Sequence, residues 1–232
     1  MMPWNLSALK GLLSDLDGLL LDTEVTYQRA WAAAAKAQGK PLAETFLSNL
    51  FGLDAAGVST AIAEEMGESF EADVFFEQAK AAWWRDLEKQ GLAPMPGAEA
   101  FLETLKAQGI PNAIVTNSER VYAEHCLLAA GLRPPWPELI SRDQVARGKP
   151  APDLYLKGAR ALRLDPKDCL VLEDSAAGLE AARAAGAWPV LIQRDRRLRD
   201  RLSPLAVLVF EDLPSCGAAL AAGGFLQESP WP

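Results

Sequence analysis

Two aspartates stand directly after a short, mostly apolar run near the start of the chain. The run Leu9 to Ser14 ends in Ser-Asp-Leu-Asp-Gly, which places Asp15 and Asp17 two residues apart. One carboxylate of such a pair is suited to act as nucleophile and metal ligand, while the other carries a proton to a leaving group. An Asp-Gly turn of a β-hairpin is the structural alternative for this segment.

Polar residues follow two later apolar runs in the same way. Thr116 and Asn117 offer a hydroxyl and fresh backbone N–H groups, which suit a phosphate oxygen, and the alternative is that Asn117 or Ser118 caps the next helix. Lys149 lies between a glycine and a proline, so its backbone is held in a non-helical conformation. A lysine held in this way can direct a cation at a phosphate, and a solvated loop lysine is the alternative.

A fourth run, Cys169 to Leu172, leads directly into Glu173 and Asp174. Carboxylates are the ligands that hard divalent cations prefer, and Mg²⁺ typically takes one or two of them plus water and phosphate. The alternative is that Asp174 or Ser175 caps the following helix. Acids, hydroxyl, lysine and acids thus follow successive predicted strands, and their combination indicates one site more strongly than any single segment does.

Strands and helices alternate through most of the chain, and this pattern predicts how the polar segments are positioned. Predicted strands cover residues 9–14, 111–117, 138–141, 169–174, 189–192 and 206–210. Predicted helices between and after them cover residues 95–109, 118–131, 151–162, 175–186 and 215–222. Alternation at this spacing predicts an α/β fold with a parallel sheet and helices on both faces, whose ligands bind beyond the carboxyl ends of the strands.

Residues 24–91 interrupt this alternation because they contain almost no strand signal. Four helices are predicted there, over residues 25–39, 41–50, 54–66 and 69–90. We therefore predict a discontinuous core of residues 1–22 and 94–232, with a helical domain of residues 23–93 inserted in it.

The four polar segments resemble the motifs of the haloacid dehalogenase superfamily. They read DLDGLLLDTE from Asp15, VTNS from Val115, GKPAPD from Gly148 and EDSAAG from Glu173, in the order and spacing of that family. The helical insert resembles the cap of the β-phosphoglucomutase-like and phosphoglycolate-phosphatase-like branch. The resemblance implies a Rossmann-like core with an inserted all-helical cap, and a phosphoric monoester hydrolase that uses Mg²⁺.

The resemblance also implies a role for each matching residue. Asp15 would form an aspartyl phosphate, and Asp17 would protonate the leaving alkoxide and then deprotonate the hydrolytic water. The remaining implied roles are phosphoryl binding by Thr116, the Asn117 backbone and Lys149, and Mg²⁺ binding by Asp15, the Asp17 carbonyl, Asp174 and Glu173, the last directly or through the water shell.

Other chemistries of the superfamily fit this sequence less well. Carbon–halogen hydrolysis has no use for the acids besides the nucleophile, and phosphonate hydrolysis uses a cap lysine that is missing between Lys40 and Lys80. β-Phosphoglucomutases carry a histidine where this chain has Tyr27, and a lysine and an arginine around a cap-loop glycine. If Gly52 is that glycine, Phe51 and Ala55 occupy those places, so we favour a phosphatase over a mutase. A non-catalytic module that binds phosphorylated metabolites is disfavoured because the nucleophile and metal acids are present.

Specificity is expected to depend on the cap. Glu24, near the start of the first cap helix, and the loop containing Phe51 and Asp54 are the candidate substrate contacts. The mixed apolar character of this loop suggests a small sugar phosphate, polyol phosphate or similar phosphorylated metabolite as substrate, rather than a bisphosphate.

Composition excludes several classes of function. The formal net charge of −8 argues against partners that need a basic surface, namely nucleic acid and anionic membranes. The cysteines Cys126, Cys169 and Cys216 lack paired spacing, which is typical of buried thiols in a reducing compartment. The N-terminus resembles no signal peptide and no apolar run is long enough to span a bilayer, so a cytoplasmic protein is expected.

Overall fold

The computed structural model describes residues 9–50, 55–67, 70–132 and 137–226. Within this part of the chain, six parallel strands form one sheet in the order β3-β2-β1-β4-β5-β6. Their bounds are β1 (Gly11–Ser14), β2 (Asn112–Val115), β3 (Glu138–Ile140), β4 (Cys169–Glu173), β5 (Trp188–Ile192) and β6 (Leu208–Phe210). The predicted α/β fold with a parallel sheet is therefore confirmed.

Ten α-helices accompany these strands in the described residues. Four precede the second strand in a continuous series: α1 (Thr23–Ala37), α2 (Glu44–Ser48), α3 (Ala55–Met66) and α4 (Ala72–Gln90). The others alternate with the strands: α5 (Ala98–Ala107), α6 (Arg120–Ala129), α7 (Asp153–Ala161), α8 (Ala176–Ala185), α9 (Arg196–Leu202) and α10 (Leu213–Ala222). Several are shorter than predicted, most clearly α2, for which residues 41–50 were expected.

The chain divides into two compact units. One comprises the chain up to Leu21 together with the segment from Pro94 onward, and the other comprises Asp22–Ala93. The sheet and α5 to α10 belong to the first unit, and α1 to α4 to the second. No strand occurs among the described residues of the second unit, which confirms the predicted helical insert. That the two units are separate folding domains stays a prediction.

The sheet is buried on both faces, as a parallel sheet requires. Leu13, Val115 and Val171 lie in one apolar cluster with Leu154 of α7 and Ala181 of α8. Because side chains alternate along a strand, the neighbouring residues of the same strands point to the opposite face. There Leu12, Ile114 and Leu172 are likewise fully buried. This two-sided burial fixes the strands, and with them the positions of the residues that follow each strand.

The second unit is held together by contacts between α1 and α4. The Trp83 indole N–H donates a 2.9 Å hydrogen bond to the Thr26 hydroxyl, and Arg29 pairs with Asp86 at 2.7 Å. The Tyr27 ring stacks on Trp83 with ring centroids 5.9 Å apart. Trp83 has an exposed fraction of only 4%, so it belongs to the core of this unit.

Helix α9 is an element that the sequence did not predict. Its seven residues carry too few apolar positions to show a helical period. The helix begins because the Asp195 carboxylate accepts hydrogen bonds from the backbone N–H groups of Arg197 and Leu198. Leu202 then packs with Leu179 and anchors the end of the helix.

The cysteines Cys126, Cys169 and Cys216 are buried and free. Burial raises the pKa of the Cys126 and Cys169 thiols to about 12, so they are poor nucleophiles.

Over the described ranges, no helix has both the length and the apolar character needed to cross a membrane.

Helix α7 approaches the sheet most closely at Gly158. A methyl group there would lie 3.1 Å from side-chain carbons of both Leu13 and Val115. We expect Gly158→Leu to lower the free energy of unfolding by about 1–3 kcal/mol, because it overpacks a filled core. Denaturant unfolding measures this change. Ala161→Leu, at an exposed position of the same helix, is the control, and an equal effect of both variants would contradict the close approach at Gly158.

Candidate active site

The order of the strands creates a crevice between β1 and β4. From β1 the chain continues to β2 and β3 on one side of the sheet, and then crosses to β4, β5 and β6 on the other. Ligands of open α/β sheets bind at such a reversal, beyond the carboxyl ends of the strands. Asp15 lies at this crevice. Its backbone N–H donates a 3.0 Å hydrogen bond to the carbonyl of Leu172 and so extends the pairing of β1 with β4 by one residue.

A buried lysine joins the two sides of this crevice. The Lys149 ammonium forms an ion pair with Asp15 Oδ1 and a second one, of 2.6 Å, with Glu173 Oε1. Its third hydrogen bond, of 2.9 Å, goes to the carbonyl of Val115 at the end of β2. An ammonium has three N–H donors, so all of them have protein acceptors. A phosphoryl oxygen must therefore replace or share one of these contacts.

The backbone of Lys149 is held from β2. Asn117 Oδ1 accepts a 2.9 Å hydrogen bond from the Lys149 N–H, and Asn117 Nδ2 donates a 3.2 Å bond to the Lys149 carbonyl. This two-point clamp fixes the start of the lysine side chain. The following peptide bond, Lys149–Pro150, is cis. Capping of α6 by the Asn117 side chain is wrong, because both polar atoms of the amide bind the Lys149 backbone. Phosphate binding by the Asn117 backbone stays a prediction.

Helix α6 is instead capped from another loop. Its first backbone N–H, that of Arg120, donates a 3.0 Å hydrogen bond to Asp143 Oδ1. The expected cap residue Ser118 directs its hydroxyl to Asp17, at 2.9 Å. The side chains at the end of β2 are thus engaged with other parts of the site rather than with their own helix.

Glu173 is completely buried, and both of its carboxylate oxygens are hydrogen-bonded. The Tyr155 hydroxyl and Lys149 donate to Oε1, while Ser175 donates to Oε2 through its hydroxyl at 2.9 Å and its backbone N–H at 3.3 Å. A buried carboxylate is tolerated only with such compensation. Helix α8 also leaves space for it at Gly178, where any Cβ atom would overlap the Glu173 carboxylate.

The acids at the crevice form a group suited to a metal ion. Asp15, Glu173 and Asp174 each offer a carboxylate oxygen, and these oxygens lie within 4.8 Å of one another. Gly18 is required beside them for two reasons: its φ of +84° is disfavoured for other residues, and a Cβ there would collide with the Asp174 carboxylate. Three carboxylates around one ammonium leave excess negative charge, so the donor set fits a hard divalent cation.

Burial and the neighbouring charges together shift the pKa values of Asp15 and Lys149. Burial, reinforced by the charges of Glu173 and Asp17, raises the pKa of the Asp15 carboxyl to about 8, although the Lys149 charge opposes the shift. Burial alone would lower the pKa of the Lys149 ammonium, but its two carboxylate partners outweigh burial and raise that pKa above its ordinary value. Lys149 is therefore a cation throughout the neutral range.

Asp17 points toward β2 and α6. Its Oδ2 accepts hydrogen bonds from the hydroxyls of Thr116, at 3.1 Å, and Ser118, at 2.9 Å, and its Oδ1 accepts one from Tyr122 at 2.9 Å. The carboxylate of Asp17 is not part of the three-acid group. That its backbone carbonyl contacts a metal stays a prediction. Thr116, expected to bind phosphate, is 1% exposed and bonded to Asp17.

The remaining predicted contacts lie in the second unit. Glu24 is half-buried at the second position of α1. Phe51 and Asp54 fall outside the described residues. Their roles as specificity residues stay predictions.

Sequence reasoning missed three contributors to the site: Tyr155, Gly178 and Tyr122. Ser175 was foreseen only as a cap of α8, and this is confirmed, because its hydroxyl accepts a 3.1 Å hydrogen bond from the Gly178 N–H. Tyr155 has the sequence signature of an ordinary core aromatic of an amphipathic helix, and it is indeed fully buried. Tyr122 lies in the first turn of α6, close in sequence to the polar residues that follow β2, and this closeness was the available signal. The missing information was the direction of each helix face relative to the strand ends.

A profile of the haloacid dehalogenase-like hydrolases matches residues 9–186. The chain belongs to this family. It is 38% identical over 184 residues to hexitol phosphatase A of Escherichia coli, covering 79% of this chain and 82% of that protein. It is 31% identical over 176 residues to a fructose-1-phosphate phosphatase of the same organism, covering 76% and 92%.

A solved structure is also similar to this haloacid dehalogenase-like hydrolase over most of its length. It is a family hydrolase from Deinococcus radiodurans with bound phosphate and sodium, at 31% identity and a TM-score of 0.79, covering 95% of this chain and 98% of that one. The resemblance inferred from the four motifs is therefore confirmed, including the helical insert after the first strand.

The raised pKa of Asp15 makes a prediction about stability. The folded protein keeps a proton that the unfolded chain releases at lower pH, so the free energy of unfolding falls as the pH rises toward 8 in metal-free buffer. Asp15→Asn removes this loss, which amounts to about 1.4 kcal/mol for each pH unit over which the proton is retained. We expect the variant to gain stability relative to the wild type between about pH 5 and 8.

Denaturant unfolding with a chelator present, repeated across that pH range, measures the difference. Glu180→Gln, which removes a negative charge from an exposed position of α8, controls for net charge. Parallel pH profiles of wild type and Asp15→Asn would contradict the assignment of the perturbed carboxyl.

Proposed function

We propose that this protein is a Mg²⁺-dependent phosphatase that hydrolyses phosphomonoesters of small sugars or polyols through an aspartyl phosphate on Asp15. The observation that carries the proposal is the group formed by Asp15, Lys149, Glu173 and Asp174 at the sheet crevice. It combines a carboxyl nucleophile, whose ionised form a bound metal ion would favour, with a fixed cation and oxygen ligands for that metal. The family match supports hydrolysis, and the similarity to a hexitol phosphatase and a fructose-1-phosphate phosphatase supports the substrate class.

The first step transfers the phosphoryl group to the enzyme. An oxygen of Asp15 forms a bond to phosphorus while the bond from phosphorus to the ester oxygen breaks. Asp17, entering as the carboxylic acid, gives its proton to the departing alkoxide and becomes a carboxylate. Negative charge builds up on the equatorial phosphoryl oxygens in this step, and the Lys149 ammonium is held where it can oppose that charge.

The second step reverses the role of Asp17. Its carboxylate takes a proton from water while the water oxygen attacks phosphorus, and the bond from phosphorus to Asp15 breaks. Inorganic phosphate leaves and the protonated Asp17 is restored. Both steps use the same carboxyl as proton donor and acceptor, so the position of Asp17 matters twice in each turnover.

The metal would be held by Asp15, Asp174 and the Asp17 carbonyl, with Glu173 acting directly or through water. When bound, Mg²⁺ supplies positive charge that neutralises the phosphoryl oxygens and the surplus carboxylates. Glu173 already shares its oxygens with Lys149, Tyr155 and Ser175. Its contribution is therefore mainly to keep the ammonium and the metal acids in fixed positions.

Metal binding should be visible without turnover. We expect Mg²⁺ to raise the thermal unfolding midpoint of the wild type, because a ligand of the folded state at 100 times its Kd adds about 2.7 kcal/mol of stability. Asp174→Asn should reduce this effect strongly, since it removes a charged ligand but keeps the side-chain size beside Gly18. Glu180→Gln should respond to Mg²⁺ as the wild type does. An undiminished response of Asp174→Asn would remove this residue from the metal site.

Activity tests the nucleophile. Phosphate release is measured for a panel of hexitol phosphates, fructose 1-phosphate and β-glucose 1-phosphate, with and without Mg²⁺. We expect Asp15→Asn to lower kcat by at least about 10³-fold, because the near-isosteric amide cannot form the phosphoenzyme. A variant that keeps a tenth or more of the wild-type rate would contradict covalent catalysis by Asp15.

The same panel separates the phosphatase from the mutase. Glucose 6-phosphate is monitored alongside free phosphate when β-glucose 1-phosphate is supplied. Free phosphate as the main product supports hydrolysis. Glucose 6-phosphate forming faster than free phosphate would favour the mutase instead.

A further inference from the structure

Asp17 is held by more hydroxyl groups than the family motifs account for. Of its three donors, Thr116 and Ser118 both lie in the VTNS motif, but only Thr116 was assigned a role there, that of binding phosphate. The other two, Ser118 and Tyr122, have no role in the chemistry described above. Each lies 2.9 Å from a different carboxylate oxygen, Ser118 from Oδ2 and Tyr122 from Oδ1, so the pair fixes both ends of the carboxyl group.

One short segment supplies both hydroxyls. Ser118 lies between β2 and α6, and Tyr122 lies in the first turn of α6, and both side chains reach the carboxylate of Asp17. The segment is fixed in turn by its neighbours. The Ser118 carbonyl accepts a 2.9 Å hydrogen bond from the Arg142 N–H, and Asp143 caps α6 at Arg120. The hydroxyls are therefore presented from a rigid frame.

We propose that Ser118 and Tyr122 are positioning residues that hold the Asp17 carboxyl for proton exchange with the leaving group and with water. This inference rests on the proposed function, in which Asp17 is the acid and base. It assigns to α6 a part in the reaction and not only in the packing of the core.

Hydroxyl groups suit this task because they serve both protonation states of a carboxyl. A carboxylate needs donors, whereas a carboxylic acid needs an acceptor for its proton, and a hydroxyl becomes either by rotating its O–H bond. A lysine or arginine in the same place would only donate, and its charge would oppose protonation of Asp17. The Asp17 proton can thus be gained and lost without loss of the anchoring contacts.

Two anchors also free Thr116 for substrate. Its hydroxyl hydrogen bonds to Asp17 in this structure, while its expected partner during catalysis is a phosphoryl oxygen. A hydroxyl has one proton to donate, so Thr116 cannot serve both acceptors at once. Ser118 and Tyr122 keep Asp17 in place when Thr116 turns to the phosphate.

The test compares two leaving groups in Tyr122→Phe and Ser118→Ala. An alkyl phosphate such as a hexitol phosphate leaves as an alkoxide and needs a proton, whereas 4-nitrophenyl phosphate leaves as a stable anion and does not. General acid catalysis contributes about 10²–10⁴-fold, so we expect misplacement of Asp17 to lower kcat/KM for the alkyl phosphate about 10- to 100-fold. The value for 4-nitrophenyl phosphate should change less than about threefold.

The parameter kcat/KM is chosen because it reports the steps up to formation of the phosphoenzyme, where the leaving group departs. Tyr155→Phe is the matched control, since it removes a hydroxyl from Glu173 instead of from Asp17. It should lower kcat/KM for both substrates by a similar factor. Thermal unfolding midpoints of all variants are measured alongside, and Ser118→Ala carries the test if Tyr122→Phe does not fold.

The outcomes separate the two proposals. A loss of kcat/KM that is selective for the alkyl phosphate, in either Tyr122→Phe or Ser118→Ala, supports the positioning role. Equal losses on both substrates, no loss, or a gain in activity would overturn it while leaving the phosphatase assignment intact. A wild-type protein that hydrolyses neither substrate would overturn the proposed function and this inference with it.

Discussion

The buried ammonium of Lys149 is the group on which the arrangement of the site depends. It lies between Asp15 and Glu173 and also binds the carbonyl at the end of β2. Without it, two carboxylates would be buried side by side with no compensating charge, which is strongly unfavourable. With it, the surplus is reduced to an amount that a divalent cation can neutralise, and three strands are joined at their carboxyl ends.

The surrounding residues serve to fix this ammonium and its partners. Asn117 clamps the backbone of Lys149, and Tyr155 and Ser175 saturate the carboxylate of Glu173. Gly178 gives that carboxylate the space it occupies. Much of the loop and helix structure around the crevice therefore follows from the need to bury charge with complete hydrogen bonding. Preorganisation of this kind is also what phosphoryl transfer demands of an enzyme.

Sequence reasoning was sufficient for the parts of the site that follow from topology. Asp15 and Glu173 follow parallel strands, and parallel strands end at one edge of a sheet, so their proximity needed no coordinates. It failed where side-chain direction decides the outcome. The Asn117 side chain was a candidate helix cap, yet its amide binds another loop, and Tyr155 was indistinguishable from a core aromatic. Helix α9 was missed because its start depends on the Asp195 cap rather than on a hydrophobic period.

The pairing of β1 has a consequence for how the polypeptide reaches this state during synthesis. β1 is the first strand to be made, but it lies in the centre of the sheet, between β2 and β4. The whole helical unit is translated before either partner strand exists. The nascent chain thus carries this apolar segment without either partner until β2 has been made, and unpaired apolar segments invite aggregation. The short length of β1, only four residues, limits the apolar surface that is exposed in this way.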